Sequence, residues 1–385
     1  MGREAVINAV DYVIFETESV LRVNRSGQRL PGPSSVEMGL LTLSDTDGHT
    51  GHAIGQADLF SASLFDGVIR PLLLGKQASR ISPILAALRR GQRGGKITSL
   101  TERQLCRIDN ALWDRQARAA GLPLWQLLGG ARECVPAYAS TAAADVNRGG
   151  LSTVDEFAAF AVELVELGYR GIKMHSWGRD IAEPDPAREI ALCTAVRDAV
   201  GPDVQLMLDG YHWFSRTEAL RIGLAIEDLG FTWFEEPLDE NSIASYRWLS
   251  DQLDIPVIGP ETLAGAHVAR AAWVDAVDIL RIGPLNGGGI SACVKTMHLA
   301  EAFGMNCEVH GDGASAMALV GSSWASEWYE RGLVHPFEDY EWLPPHRYSP
   351  VAPLGLDGLV RMSSETGSGE HLDHEHIARH EISRL

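Results

Sequence analysis

Three carboxylates recur at an even pitch, each closing its own short apolar run. Asp209 follows Val-Gln-Leu-Met-Leu, Glu235 follows Phe-Thr-Trp-Phe and Glu261 follows Pro-Val-Ile-Gly-Pro, with 26 positions from the first to the second and 26 again to the third. That interval holds one strand, one helix and two short loops, so the repeat is a β/α unit with an acid at the same point of each. Acids at the C-terminal ends of neighbouring parallel strands point into a common barrel mouth, where three like charges repel severely unless a cation neutralises them. Three hard oxygen ligands with room left for water and substrate describe a Mg²⁺ site at Asp209, Glu235 and Glu261.

The surrounding chain carries the same rhythm. Candidate strands are Val135–Ser140, Gly171–His175, Val204–Asp209, Phe231–Glu235, Val257–Glu261, Val277–Ile282, Met305–His310 and a less defined one near Trp328–Glu330. Helical stretches at Thr153–Leu167, Arg188–Val200, Arg216–Leu229 and Gly289–Phe303 lie between them. Eight such strands in series call for a barrel of about 200–250 residues, and a chain of 385 leaves room for a smaller domain beside it. A doubly wound sheet is the competing architecture, but an open sheet gathers ligands mainly at one switch point rather than at adjacent strand ends. The opening of the chain reads as strands at Ala5–Glu16 and Val36–Leu43 joined by a polar, Gly/Pro-rich loop over Arg22–Ser35. Helices are expected over Ser82–Arg90 and Ser99–Ala120, and a glycine stop ends the Leu122–Gly130 stretch. The tail beyond Pro353, with Gly355, Gly358, Gly367 and Gly369, reads as irregular chain returning to another part of the molecule.

A formal charge of −18, from 51 acidic against 33 basic residues, argues against nucleic acid or an anionic membrane as partner. The five cysteines are scattered without Cys-x-x-Cys spacing, as expected for free thiols in a reducing compartment, so the cytoplasm is the expected location. Neither a signal-type apolar segment at the N-terminus nor a run approaching the ~18 residues of a membrane span is found.

Alternation along the second candidate strand sends Lys173 and His175 to the same side, and the end of the seventh does the same for Glu308, His310 and Asp312. In isolation a Lys and a His at a strand end are ordinary exposed residues; one unit before the three acids, they are expected in the metal mouth, with His310 facing His175 across it.

These motifs, together with Ala-Leu-Trp-Asp114, Leu122-Pro-Leu-Trp-Gln-Leu-Leu-Gly-Gly130 and Trp-Phe-Glu235-Glu-Pro237, resemble the enolase superfamily and within it the mandelate racemase subgroup. The resemblance runs nearly the whole length. It implies an α/β fold, a (β/α)7β modified TIM barrel (residues 133–353), under an α+β capping domain made of residues 1–132 and the returning tail 354–385. It further implies one Mg²⁺ per subunit at Asp209, Glu235 and Glu261, capping loops around Arg22–Ser35 and Gly51–Ser61, and a symmetric homo-oligomer such as an octamer.

The chemistry implied is removal of a proton α to a carboxylate. Such a proton is so weakly acidic that the enediolate must be stabilised by more than about 10 kcal/mol relative to water, which a cation on the substrate carboxylate and a nearby ammonium supply. Lys173 fits the ammonium. His175 stands where the family usually has a second lysine and needs less tuning to act as base near neutral pH. His310 matches the histidine on the opposite face, whose usual aspartate partner aligns with Gly283, leaving Asp312 or Glu308 as substitutes. Glu330 matches a glutamate that hydrogen-bonds the substrate carboxylate. His212, in Asp209-Gly-Tyr-His212, stands in place of the usual Asp-x-Asn and is a candidate contact to substrate hydroxyls or a plain surface residue. Trp177, Arg179 and the basic loop residues Arg22, Arg25 and Arg29 could add substrate contacts, although a plain solvated loop is the more common reading of such segments. An unpartnered His310 suits a general acid better than a second base, which favours dehydration of a sugar acid to a 2-keto-3-deoxy acid, with His175 as base and His310 as acid. The alternatives are a racemase or epimerase of a 2-hydroxy acid and a non-catalytic, metal-stabilised binding protein.

Overall fold

The computed structural model describes residues 4–19, 34–93, 100–177, 184–261 and 271–385. Eight strands form one parallel sheet in chain order: β4 (Cys134–Ala143), β5 (Gly171–His175), β6 (Gln205–Asp209), β7 (Trp233–Glu235), β8 (Val257–Gly259), β9 (Ile279–Ile282), β10 (Asn306–Val309) and β11 (Tyr329–Val334), with β11 returning to pair with β4. The expected starts and ends hold to within a few residues, and Gly171–His175 and Gly289–Phe303 coincide with their elements. Helices follow the strands where side-chain caps begin them. Thr153 with Glu156 and Ser215 with Glu218 form capping boxes, in which each partner satisfies a backbone N–H that the first helical turn leaves free.

Between β10 and β11 there is no backbone ladder among the described residues, and side chains close the seam instead. The Glu308 carboxyl accepts the N–H groups of Glu327 at 3.0 Å and Trp328 at 3.2 Å and the Ser326 hydroxyl at 3.3 Å. At the other end of the seam Gly311 N–H donates to Glu330 at 2.6 Å and Gly313 N–H to the Tyr329 hydroxyl at 2.8 Å. Glu308 is therefore a seam residue at the closed end of the barrel, away from the mouth and from the His310 contact expected of it. Inside, Tyr138, Met207, Trp233 and Ile258, with Ile279 and Trp328 against them, pack the floor on which the mouth rests. The outward faces of the strands bury their aliphatic residues against the helices in a second, larger cluster.

The capping unit is an antiparallel sheet in the order β13–β1–β2–β3. β1 (Ile7–Ser19) and β2 (Ser34–Asp45) are the expected strands, although β2 starts inside the segment read as loop, and residues 22–33 of that segment lie outside the described ones. β3 (Thr50–Gln56) is a strand where a capping loop was expected. It lies under the helix Glu102–Ala120, so closely that a Cβ at Gly51 would fall 2.2 Å from the Ala111 carbonyl oxygen. The tail is less irregular than its glycines suggest: β12 (Leu359–Arg361) adds antiparallel to β4, and β13 (Glu381–Arg384) adds to β1. It thus ties barrel to cap. The same helix is clamped to the barrel by Asp109, which accepts from Ser291 N and Oγ at 2.7 Å each, and by Asn110, which donates to the Pro284 carbonyl. No helix among the described residues is long and apolar enough to cross a membrane.

Burial pushes the Glu308 carboxyl up to about 7. A carboxyl whose folded pKa is raised favours the folded state most below its unfolded value, and that advantage is lost as pH rises through about 7. Glu308→Gln, neutral at every pH, should therefore lose stability relative to the native chain below about pH 4.5 and approach or exceed it above about pH 7. Thermal melts of the two proteins across that range check this; parallel pH profiles would refute it.

Candidate active site

The mouth is built by inward-facing residues on the strands or just past their C-terminal ends, and it is a cage of buried charge. Lys173 Nζ, 1% exposed at its side chain, lies 2.9 Å from Glu235 Oε1, 2.9 Å from Glu330 Oε1 and 3.4 Å from Asp209 Oδ2. Burial alone would favour the neutral amine, but the Glu235 and Glu330 carboxylates outweigh it and hold the Lys173 ammonium well above its ordinary range. Lys173 is thus a fixed positive charge.

Opposite it stands Arg281, a residue the sequence reading passed over. It is fully buried, with Nε 3.0 Å from Glu235 Oε1 and Nη2 2.9 Å from Glu330 Oε2 and 3.1 Å from the Tyr138 hydroxyl. The signal was present in Asp278-Ile-Leu-Arg-Ile: a cation in an apolar strand, two residues from the inward-facing Ile279, has to face inward too.

Glu330 is accordingly occupied on both oxygens by Lys173 and Arg281, and these cations keep its carboxyl well below the usual range against the opposing pull of burial. It serves as their counter-ion, which leaves it poorly placed for the substrate-carboxylate contact expected of it. Glu235, fully buried, also receives the Trp233 indole N–H at 3.1 Å.

The two histidines hang from opposite corners. His175 Nε2 is 3.0 Å from Asp209 Oδ2, and its Nδ1 is 2.6 Å from the Thr141 carbonyl. A carbonyl can only accept, so Nδ1 carries a proton, and Nε2 is the ring atom turned toward the mouth and Asp209. His310 Nδ1 lies 2.9 Å from Glu261 Oε2 and 3.5 Å from Glu330 Oε2. A Cβ on Gly283 would be 3.3 Å from His310 Cδ2, so position 283 does face this ring and offers it no carboxylate. Neither proposed substitute reaches it. Asp312 accepts the Tyr340 hydroxyl at 2.6 Å, and Glu308 seals the barrel seam. Glu261 takes the place instead.

His212 is turned aside: Nε2 is 3.0 Å from Glu236 Oε2 and Nδ1 is 3.2 Å from the Leu238 carbonyl, so both ring nitrogens are engaged and neither is left for a substrate hydroxyl. Trp177 stacks on Tyr211 at 4.0 Å between centroids and meets the His175 ring edge-on at 5.6 Å. Arg22, Arg25, Arg29 and Arg179 lie outside the described residues.

Asp209, Glu235, Glu261 and Glu330 bring four negative charges into the cage against two from Lys173 and Arg281, a formal excess of two. Three of those carboxylates come from consecutive strands. An all-oxygen donor set with two uncompensated charges fits a hard divalent cation such as Mg²⁺, and Asp209, Glu235 and Glu261 are the residues able to hold it.

Comparison with known proteins agrees with this architecture. Residues 156–376 match the family described as enolase C-terminal domain-like, and residues 36–129 match the mandelate racemase / muconate lactonizing enzyme N-terminal domain. A crystal structure of D-glucarate dehydratase from Agrobacterium tumefaciens complexed with magnesium superposes with a TM-score of 0.92 and 41% identity, over 98% of this chain and 99% of that one. Among curated proteins, the D-galactonate dehydratase family member ManD of Chromohalobacter salexigens is 26% identical, spanning 92% of this chain and 93% of its own. L-talarate/galactarate dehydratase of Salmonella typhimurium is 30% identical over 71% of this chain and 64% of its own. The chain therefore belongs to the enolase superfamily of enzymes, in its mandelate racemase and muconate lactonizing enzyme branch.

Proposed function

We propose that this protein is a Mg²⁺-dependent dehydratase that converts a sugar acid to a 2-keto-3-deoxy acid, with His175 as base and His310 as acid. The observation that carries the reading is the inequality of the two histidines. His175 Nδ1 donates to the neutral Thr141 carbonyl and its Nε2 meets one carboxylate at 3.0 Å, whereas His310 Nδ1 meets two, Glu261 at 2.9 Å and Glu330 at 3.5 Å, a setting that favours the protonated ring an acid needs. One proton acceptor and one proton donor are what β-elimination needs; racemisation needs two competent bases. Relatives named as dehydratases support the same choice.

A divalent cation in the cage would supply Lewis acidity toward the substrate carboxylate. Lys173, already an ammonium, is placed to neutralise charge that develops on that carboxylate as the α-carbon is deprotonated. The α-proton passes to His175 Nε2, and its electron pair forms the new carbon–carbon double bond as the β carbon–oxygen bond breaks. His310, with Nδ1 toward Glu261, protonates the departing hydroxyl from Nε2, so that water leaves and the enol tautomerises to the 2-keto acid. Glu330 and Arg281 touch neither proton; they fix Lys173 and Glu235 at buried positions, where electrostatic interactions are stronger.

Purified protein with Mg²⁺, screened against mono- and diacid sugars, should form 2-keto acid from at least one of them and lose that activity in EDTA. Incorporation of α-deuterium in D₂O without keto acid would replace the dehydratase with a racemase or epimerase, and binding without either would leave a non-catalytic relative. With the substrate in hand, His175→Asn should lower both exchange and dehydration by roughly 10²–10⁴-fold, while His310→Asn should retain exchange and lose keto-acid formation. The reverse pattern would place the base on the other face.

A further inference from the structure

The glutamate beside the candidate ligand Glu235 takes no part in the proton transfers, yet it is 2% exposed and touches the end of every strand that carries one of the three acids. Its backbone N–H donates to the Ile258 carbonyl of β8 at 3.0 Å, and its own carbonyl accepts the His212 N–H, three residues after Asp209, at 2.6 Å. Its side chain repeats both links. Oε1 accepts the Glu261 backbone N–H at 2.5 Å, and Oε2 lies 3.0 Å from His212 Nε2, whose ring is in turn held by the Leu238 carbonyl. Glu236 has φ 41° and His212 φ 63°, both in the left-handed region, which turns the two side chains toward each other instead of along their strands. Beside them, Tyr211 N–H donates to Asp209 Oδ1 at 2.9 Å and Gly210 N–H to the Glu235 carbonyl at 2.7 Å.

We propose that Glu236 is a positioning residue: its carboxylate spans the ends of β6, β7 and β8 and sets the spacing of Asp209, Glu235 and Glu261, so that the three oxygens meet one cation without rearrangement. The inference rests on the metal assignment proposed above. Preorganisation of this kind is read in metal affinity, where losing a partner that orients a ligand typically costs 10–100-fold. Glu240 places a further oxygen within 4.8 Å of the ligand atoms of His212 and Glu236, so a second cation is the competing use of the same corner.

The experiment is a Mn²⁺ and Mg²⁺ titration of the full-length protein by calorimetry, with a thermal melt in EDTA beside each isotherm. The native chain should bind one ion, and Glu235→Gln should abolish that binding; if it does not, the metal assignment itself is wrong. Glu236→Gln keeps an oxygen for the Glu261 N–H but puts an amide where the acid meets His212, and should bind about 10-fold more weakly; Glu236→Ala should approach 100-fold. His212→Gln, at a part-exposed position, should weaken binding in the same direction and serves if the alanine variant does not fold. Saturating Mg²⁺ should restore kcat in Glu236→Gln. A lowered melting temperature with unchanged ion affinity would make Glu236 merely structural. Two bound ions falling to one in Glu236→Gln would make it a ligand of a second site. Either result overturns the proposal.

Discussion

The packing of four carboxylates around two buried cations at one end of a barrel is the constraint on which the rest of the molecule depends. Charges out of water are tolerable only when each is paired and hydrogen-bonded, and removing one partner of such a pair typically costs about 3–5 kcal/mol. Lys173, Arg281 and Glu330 meet that condition among themselves, with Lys173 and Arg281 both reaching Glu235. What they leave over is negative charge on the side of Asp209 and Glu261, the side where both histidines hang. The fold thus carries an unbalanced negative field of the kind a dication would complete.

The barrel makes this arrangement possible because parallel strands place equivalent residues at equivalent heights. Lys173, Asp209, Glu235, Arg281 and Glu330 belong to one layer above the Tyr138–Trp233 floor, and the aromatic floor excludes water from below. Closing the ring without a β10–β11 ladder is the work of Glu308, a carboxyl spent on backbone N–H groups rather than on chemistry. The cap is fastened from two directions, by β13 at the edge of its sheet and by the helix Glu102–Ala120 lying on the loops that follow β9.

Much of this was legible in the sequence, for identifiable reasons. The even spacing of Asp209, Glu235 and Glu261 exposes the β/α period directly, and alternation within Gly171–His175 sufficed to place Lys173 and His175 in one mouth. Two kinds of feature stayed hidden. β3 does not read as a strand because Gly51 and Gly55 replace its inward side chains, and they do so to let the cap helix, with Ala111 and Arg107, approach its backbone. Partner choice was the other. Whether Glu330 meets a substrate or two cations, whether His310 leans on Asp312 or Glu261, and whether His212 faces the mouth or Glu236 are decided by side-chain directions at strand ends. Backbone conformations such as the positive φ of Tyr211, His212 and Glu236 reset those directions without a glycine to announce them.

The central claim is that the cage exists to hold one divalent ion between consecutive strand ends. Anomalous diffraction from a crystal grown with Mn²⁺ tests it most directly. A strong peak is expected, bounded by the carboxylates of Asp209, Glu235 and Glu261, with Lys173 and Arg281 still on Glu330. An empty cage at saturating Mn²⁺, or a peak held by other residues, would contradict it.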